Sequence, residues 1–440
     1  MKEDNNLISI IKGLLLFAVP IILGQVGQML IGAGDVFVAA KHGTATVASI
    51  SIANAVINTV LLTGLGFLFS ISPVLAKKRG EKQKINSFFK ITLIYSLLLA
   101  FIFGLISLLT IPIIPYLGFE RKLIPDIQEF IFICSFSFFG AYLYQALKEF
   151  LQVHEKLYFA NLISIVAVLL NVVLCWIFVF GFGFIPSLGV KGLAIASLSV
   201  RTIMGLTLLI YCRKYFKEVF LINIKYLKNI MRIGYPIAIS LLLELSAFGL
   251  VTILAGQIST IQVAANNIVL TLSSITYMLP LSVANALSVK VGYAYGSRNY
   301  KSIKKNIIAG LILSLSIMGF FALMFFVFPA FFIELFSNDK GIIKIGARLL
   351  FIVAIFQLFD GVQITLSGAL RGLGYTKPII YTMALGYWAI GIPIGVYFAF
   401  SQKLDVFGLW IGFAIALFSC ANIFLFFIIK KLKELKLELI

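Results

Sequence analysis

Charge is what this chain has least of: Lys, Arg, Asp and Glu together make 12% of its 440 residues, about half the share of a soluble globular domain. Apolar residues fill 61%, and the mean hydropathy is +1.06. A soluble enzyme is excluded, because most of such a chain needs lipid as its solvent. Cysteine is scarce too. Cys134, Cys175, Cys212 and Cys420 stand in or beside apolar runs with no CxxC, so neither a disulfide framework nor a zinc knuckle is indicated. There are two histidines, His42 and His154, placed near opposite faces, and no H-E-x-x-H or G-x-S-x-G, which argues against an intramembrane protease. No G-x-x-x-x-G-K-[ST] occurs. Work done by this chain must draw on a gradient, and no cofactor is expected.

What is present is a series of apolar runs, each long enough to cross a bilayer, which takes about 20 residues. Cut at charge clusters and at glycine or proline, they give spans at 12–40, 45–76, 91–118, 127–151, 157–182, 190–212, 233–256, 261–289, 306–333, 345–370, 378–401 and 406–429. Twelve spans return the C-terminus to the side of the N-terminus. With that side taken as cytoplasmic, the inner segments hold about 27 of the 36 Lys+Arg and the outer loops about 8, which is the positive-inside pattern. The net charge of +19 is therefore topological, and no nucleic-acid partner is expected.

Sliding the chain on itself by 216 residues pairs Pro20 with Pro236, Val47 with Val263, Ala48 with Ala264, Ile52 with Ile268, Ser72 with Ser288 and Gly80 with Gly296. Further on the register drifts to about 219, where Leu151 meets Leu370 and Gly189 meets Gly408. Six spans return the chain to its starting side, so the halves are expected to be parallel repeats. The expected fold is an all-α membrane protein of 12 transmembrane helices in two six-helix bundles related by a pseudo-twofold axis along the membrane normal. The expected lobes are residues 1–215 and 229–440, joined by a cytoplasmic linker at 216–228.

Of the 17 acids, 14 lie in loops or at span ends, and three do not: Asp35, Glu244 and Asp360. A charge at a span's centre costs about 2.5 to 3.5 kcal/mol on insertion scales, so each needs a reason. On span 10, Phe356, Asp360, Gln363 and Ser367 form one helical stripe, and on span 7 Pro236, Ser240 and Glu244 form another. If the two stripes converge, Glu244 and Asp360 would titrate as a unit, taking up a proton or a cation such as Na⁺, with the Phe356 ring facing that cation. Asp35 shares a span 1 stripe with Gln25, Gln28 and Gly32, nearer the outer end where water could reach it. A functional role is the favoured reading of Asp35, with a salt bridge to Arg201, inside span 6, as the alternative. Asn54, Asn58, Asn171, Asn266, Asn267 and Tyr277 are further polar groups within spans that could line a cavity, although a lone Asn more often bonds helix to helix.

These residues together resemble the multidrug and toxic compound extrusion (MATE) family, in particular its NorM-like bacterial branch. The resemblance rests on Pro20 with Asp35, Pro236 with Glu244, Pro280–Gly296 (PLSVANALSVKVGYAYG), and Asp360 followed by Gly368–Pro378 (GALRGLGYTKP), and it spans about residues 12–432. It implies two six-helix lobes about a central cavity, and export of cationic amphiphilic compounds by alternating access in exchange for Na⁺ or H⁺. It also implies a C-lobe cation site at Glu244, Asp360, Phe356 and Tyr277, beside which the stripe places Gln363. In the N-lobe it implies a site at Asp35, Asn171 and Ser197, with an acid where this chain has Cys175. Coupling is therefore expected to rest on the C-lobe, leaving Asp35, with Gln28, Asn54, Asn171, Ser197 and Arg201, to substrate or proton handling. The expected protein is a monomer in the bacterial inner membrane, both termini cytoplasmic, and not an enzyme. The runner-up reading is a flippase for lipid-linked oligosaccharide or peptidoglycan precursors, which would need cationic groups in its cavity.

Overall fold

A computed structural model describes residues 6–183, 185–218 and 223–439; residues 219–222, within the expected 216–228 linker, lie outside the described residues. Twelve helices among the described residues are long and apolar enough to cross a membrane. They are α1 (Leu7–His42), α2 (Thr44–Gly80), α3 (Ile85–Leu117), α4 (Ile124–Val153), α5 (Leu157–Phe180) and α6 (Val190–Tyr211), then α7 (Ile224–Ile258), α8 (Thr260–Gly296), α9 (Tyr300–Val327), α10 (Lys340–Gly372), α11 (Lys377–Ser401) and α12 (Asp405–Leu437). The expected all-α, twelve-span fold is what the structure shows. Most helices run several residues past the apolar windows, because helical hydrogen bonding continues into the polar flanks.

The interruptions have local causes. Pro73 supplies no N–H, and α2 breaks just before it, at Phe69 and Ser70, where the Ser70 hydroxyl donates to the Phe67 carbonyl at 2.7 Å. In α11 the helix widens into a π-helical stretch, Ala384–Gly391, directly before Pro393. A missing N–H, with Gly386, Gly391 and Gly395 nearby, lets the turn relax there.

The chain forms two compact units. One gathers residues 23–75 and 83–238, the other 1–22, 76–82 and 239–440. The division runs inside α1 after Ile22 and inside α7 after Ala238, positions 216 apart and each two residues past the helical proline, Pro20 or Pro236. The first part of each of these helices thus belongs with the other half of the sequence. Phe17 shows it for α1: its ring lies 5.3 Å from Lys290 Nζ of α8.

Without a hydrophobic drive between helices in lipid, close approach of small residues holds spans together. In the second unit α11 meets α12 this way. A methyl group on Gly412 would overlap the Gly391 carbonyl and come within 2.6 Å of Gly395 Cα, and one on Gly386 would overlap the Cys420 thiol. The end of α2 meets the end of α8 through the glycines that the repeat aligns. A side chain on Gly80 would strike the Tyr293 carbonyl, and one on Gly296 the Lys77 carbonyl, and Lys77 corresponds to Tyr293 by the same 216-residue shift. Crossed contacts flank the pair: Lys77 Nζ sits 4.5 Å from the Tyr295 ring centre and the Arg79 guanidinium 6.0 Å from that of Tyr293.

Candidate functional site

The second unit carries the acids on α7 and α10 together. Asp360 is 5% exposed, Glu244 is half-buried, and the two lie near enough for the Glu244 charge to reach Asp360. Tyr277 of α8 and Tyr387 of α11 each interact with both carboxylates. Among the described residues no hydrogen bond to the Asp360 carboxylate is seen. Gln363, one turn on, is fully buried; its amide nitrogen points to Met383 Sδ at 3.6 Å and its oxygen has no partner. Among the described residues the Thr382 and Tyr387 hydroxyls are likewise buried without a fully formed hydrogen bond. Orphaned oxygens are expensive in an apolar interior.

Phe356 lies one turn before Asp360 but is 2% exposed and boxed by other rings. Trp410 meets it edge-on at 5.3 Å and Phe248 at 6.5 Å, and Trp410 Nε1 donates to Asn266 Oδ1 at 3.0 Å. This aromatic block, which also takes in Phe413, forms a wall behind the acids.

The first unit holds Asp35, and here the sequence-based expectation needs correction. Asp35 is 4% exposed, not open to water at the outer end. Three neutral donors hold its carboxylate: Asn171 Nδ2 at 3.0 Å and the Cys175 thiol at 3.3 Å to Oδ1, and the Ser197 hydroxyl at 3.0 Å to Oδ2. Cys175 therefore stands as a donor to Asp35 where a second acid was looked for. Arg201 is not its ion-pair partner; Nη1 donates to Ser137 Oγ at 2.8 Å, and Arg201 acts on Asp35 only through the longer-range field. Gly140 is what brings α4 so close to the Arg201 backbone. Gln28 lies two turns before Asp35 and interacts with the Tyr144 hydroxyl, while Asn54 is half-buried and takes no hydrogen bond among the described residues.

Lys148 of α4 is 2% exposed, and among the described residues its ammonium has no hydrogen-bond acceptor. It lies with the unpartnered Asn161 Oδ1 against Gly24, where no side chain would fit. An unsatisfied buried donor costs about 1 to 3 kcal/mol.

Two units of membrane-length helices with acids set among apolar residues are the frame of a membrane carrier, and the relatives agree. The MatE family model matches the chain twice, over residues 20–177 and 236–397, the two matches beginning 216 residues apart as the internal repeat does. The chain belongs to this family; it is a NorM-like MATE transporter and not an enzyme. Among similar proteins, the probable multidrug resistance protein NorM of Bacillus subtilis is 30% identical, the match covering 99% of this chain and 98% of the relative. That of Photorhabdus laumondii is 27% identical over 96% of each. Of solved structures, the eukaryotic MATE transporter AtDTX14 superposes with a TM-score of 0.87 at 21% identity, covering 99% of this chain and all of that one. A MATE protein in a bent conformation gives 0.89 at 18% identity with the same coverage. At such identities these structures establish the fold alone.

Proposed function

We propose that this multi-pass membrane transporter is a secondary antiporter that exports organic cations and amphiphilic compounds in exchange for Na⁺ or H⁺. The observation that carries the reading is that Glu244 and Asp360, acids on two different membrane helices, share a neighbourhood with Tyr277 and Tyr387, where the Trp388 Nε1 bond to the Leu243 carbonyl ties α11 to α7. The multidrug resistance label borne by the relatives supports the substrate class. Ion binding at the acids favours one orientation of the lobes and substrate the other, so that the two exchange by alternating access. In this reading the protein works as a monomer in a bacterial inner membrane, both termini cytoplasmic, with lobes at 1–215 and 229–440. Glu244, Asp360 and Gln363 bind the ion, with Phe356 and Tyr277 at the edge of the site. Asp35, Gln28, Asn54, Asn171, Ser197 and Arg201 handle substrate or protons in the N-lobe.

The test is transport of a fluorescent organic cation by reconstituted protein under an imposed Na⁺ gradient or an imposed pH gradient, each alone. One of them should drive accumulation against the substrate gradient; movement that ignores both would refute antiport.

The three neutral donors on Asp35 explain why the N-lobe is assigned no coupling ion. Cys175→Asp would replace one donor with a second carboxylate and create a hard-oxygen pair. Exchange by that variant is expected to need severalfold less coupling ion, and an unaltered ion dependence would remove Cys175 from the explanation.

A further inference from the structure

Two consecutive residues of α11 engage α7 at the acid. Trp388 Nε1 donates to the Leu243 carbonyl at 3.1 Å, fixing the backbone one residue before Glu244. The Tyr387 hydroxyl, wholly buried, reaches the Glu244 carboxyl and feels the charge of Asp360, yet it completes no hydrogen bond of full geometry. Neighbours on an α-helix point about 100° apart and do not share a face. Both residues lie in the π-helical stretch Ala384–Gly391, whose wider turn brings consecutive side chains closer to one face. Behind that turn Gly386 abuts the Cys420 thiol, the thiol donates to the Thr382 carbonyl at 3.4 Å, and Gly391 abuts Gly412. The tyrosine is thus fixed from the rear and short of a partner in front.

We propose that Tyr387 is a positioning residue for the acid pair, whose hydroxyl donates to the Glu244 carboxylate when the coupling ion has left and yields when the ion is held. The inference rests on the reading that Glu244 and Asp360 bind that ion. A donor to the free carboxylate competes with the ion, so Tyr387 sets the ion concentration at which the carrier half-saturates and favours release. The π turn serves to bring this hydroxyl to the acid while Trp388 holds the backbone beside it.

Reconstituted Tyr387→Phe, which keeps the ring and removes the hydroxyl, tests this with the organic-cation assay at varied Na⁺ and varied pH. Half-saturation is expected at about tenfold less coupling ion than in the wild type, which for a proton is one pH unit higher. Trp388→Phe is expected to lower the thermal midpoint and to keep half-saturation within twofold. An unshifted Tyr387→Phe, a shift toward more ion, or an equal shift in Trp388→Phe would overturn the assignment. A wild type indifferent to both ions would instead refute the antiport reading itself. If Tyr387→Phe does not fold, difference infrared spectroscopy of the wild type replaces it. Adding the coupling ion should shift a tyrosine C–O band, and the shift should vanish in Glu244→Gln; a band that does not move would overturn the proposal.

Discussion

Glu244→Gln and Asp360→Asn are expected to insert and fold as the wild type does and to lose gradient-driven efflux. Each substitution keeps the shape of its side chain and removes the charge, so packing against Tyr277, Tyr387 and the Phe356–Trp410 wall persists. An interaction with a charged partner is worth about 1.5 to 3 kcal/mol, so either change should weaken ion binding by about ten- to a hundredfold. The double variant should be silent under any imposed gradient. Asp360→Asn keeps the side chain's size and shape, so reduced folding would mean that the acid is structural. Efflux from cells or liposomes checks the first outcome and the thermal midpoint the second.

The largest effect on stability is expected at the paired glycines. Gly80 and Gly296 each face a backbone carbonyl of the opposing helix end, with no flexible side chain that could give way. Replacing either with alanine forces the helices apart, which for overpacking costs about 1 to 3 kcal/mol, and valine should cost more. The repeat makes a sharper prediction. Because Gly80 faces Tyr293 while Gly296 faces Lys77, the two substitutions strain one seam, and their effects should not add. Thermal midpoints of both single variants and the double would show it: midpoints close to wild type would mean that the seam is loose, and strict additivity would mean that the contacts are independent.

The architecture could be read in the sequence because bilayer length and hydropathy leave few alternatives for twelve such runs. Glu244 and Asp360 stood out for the same reason: a carboxylate within an apolar run is too costly to be incidental. Tyr387 did not stand out, since span 11 carries no acid and a tyrosine in a membrane helix is unremarkable. Pro393 after Gly386 and Gly391 was the available signal, being a place where an α-helix cannot run undisturbed. The burial of Lys148 is not legible in the sequence, because a cation near the end of an apolar run reads as an interfacial charge until helix packing covers it. Opposite charge alone offers Arg201 as an alternative counter-ion for Asp35. Side-chain geometry decided otherwise, giving Asp35 three neutral donors and Arg201 a serine. That α1 and α7 divide between the units after their prolines was invisible to a repeat that showed only where the prolines align.

Ion binding to the purified protein addresses the acid pair without the complications of transport. Radiolabelled Na⁺ binding, with proton uptake followed in a weakly buffered solution, should show for the wild type one saturable ion that an organic cation displaces. The Glu244→Gln, Asp360→Asn double variant should bind none. Equal binding by the two proteins would place the coupling ion elsewhere.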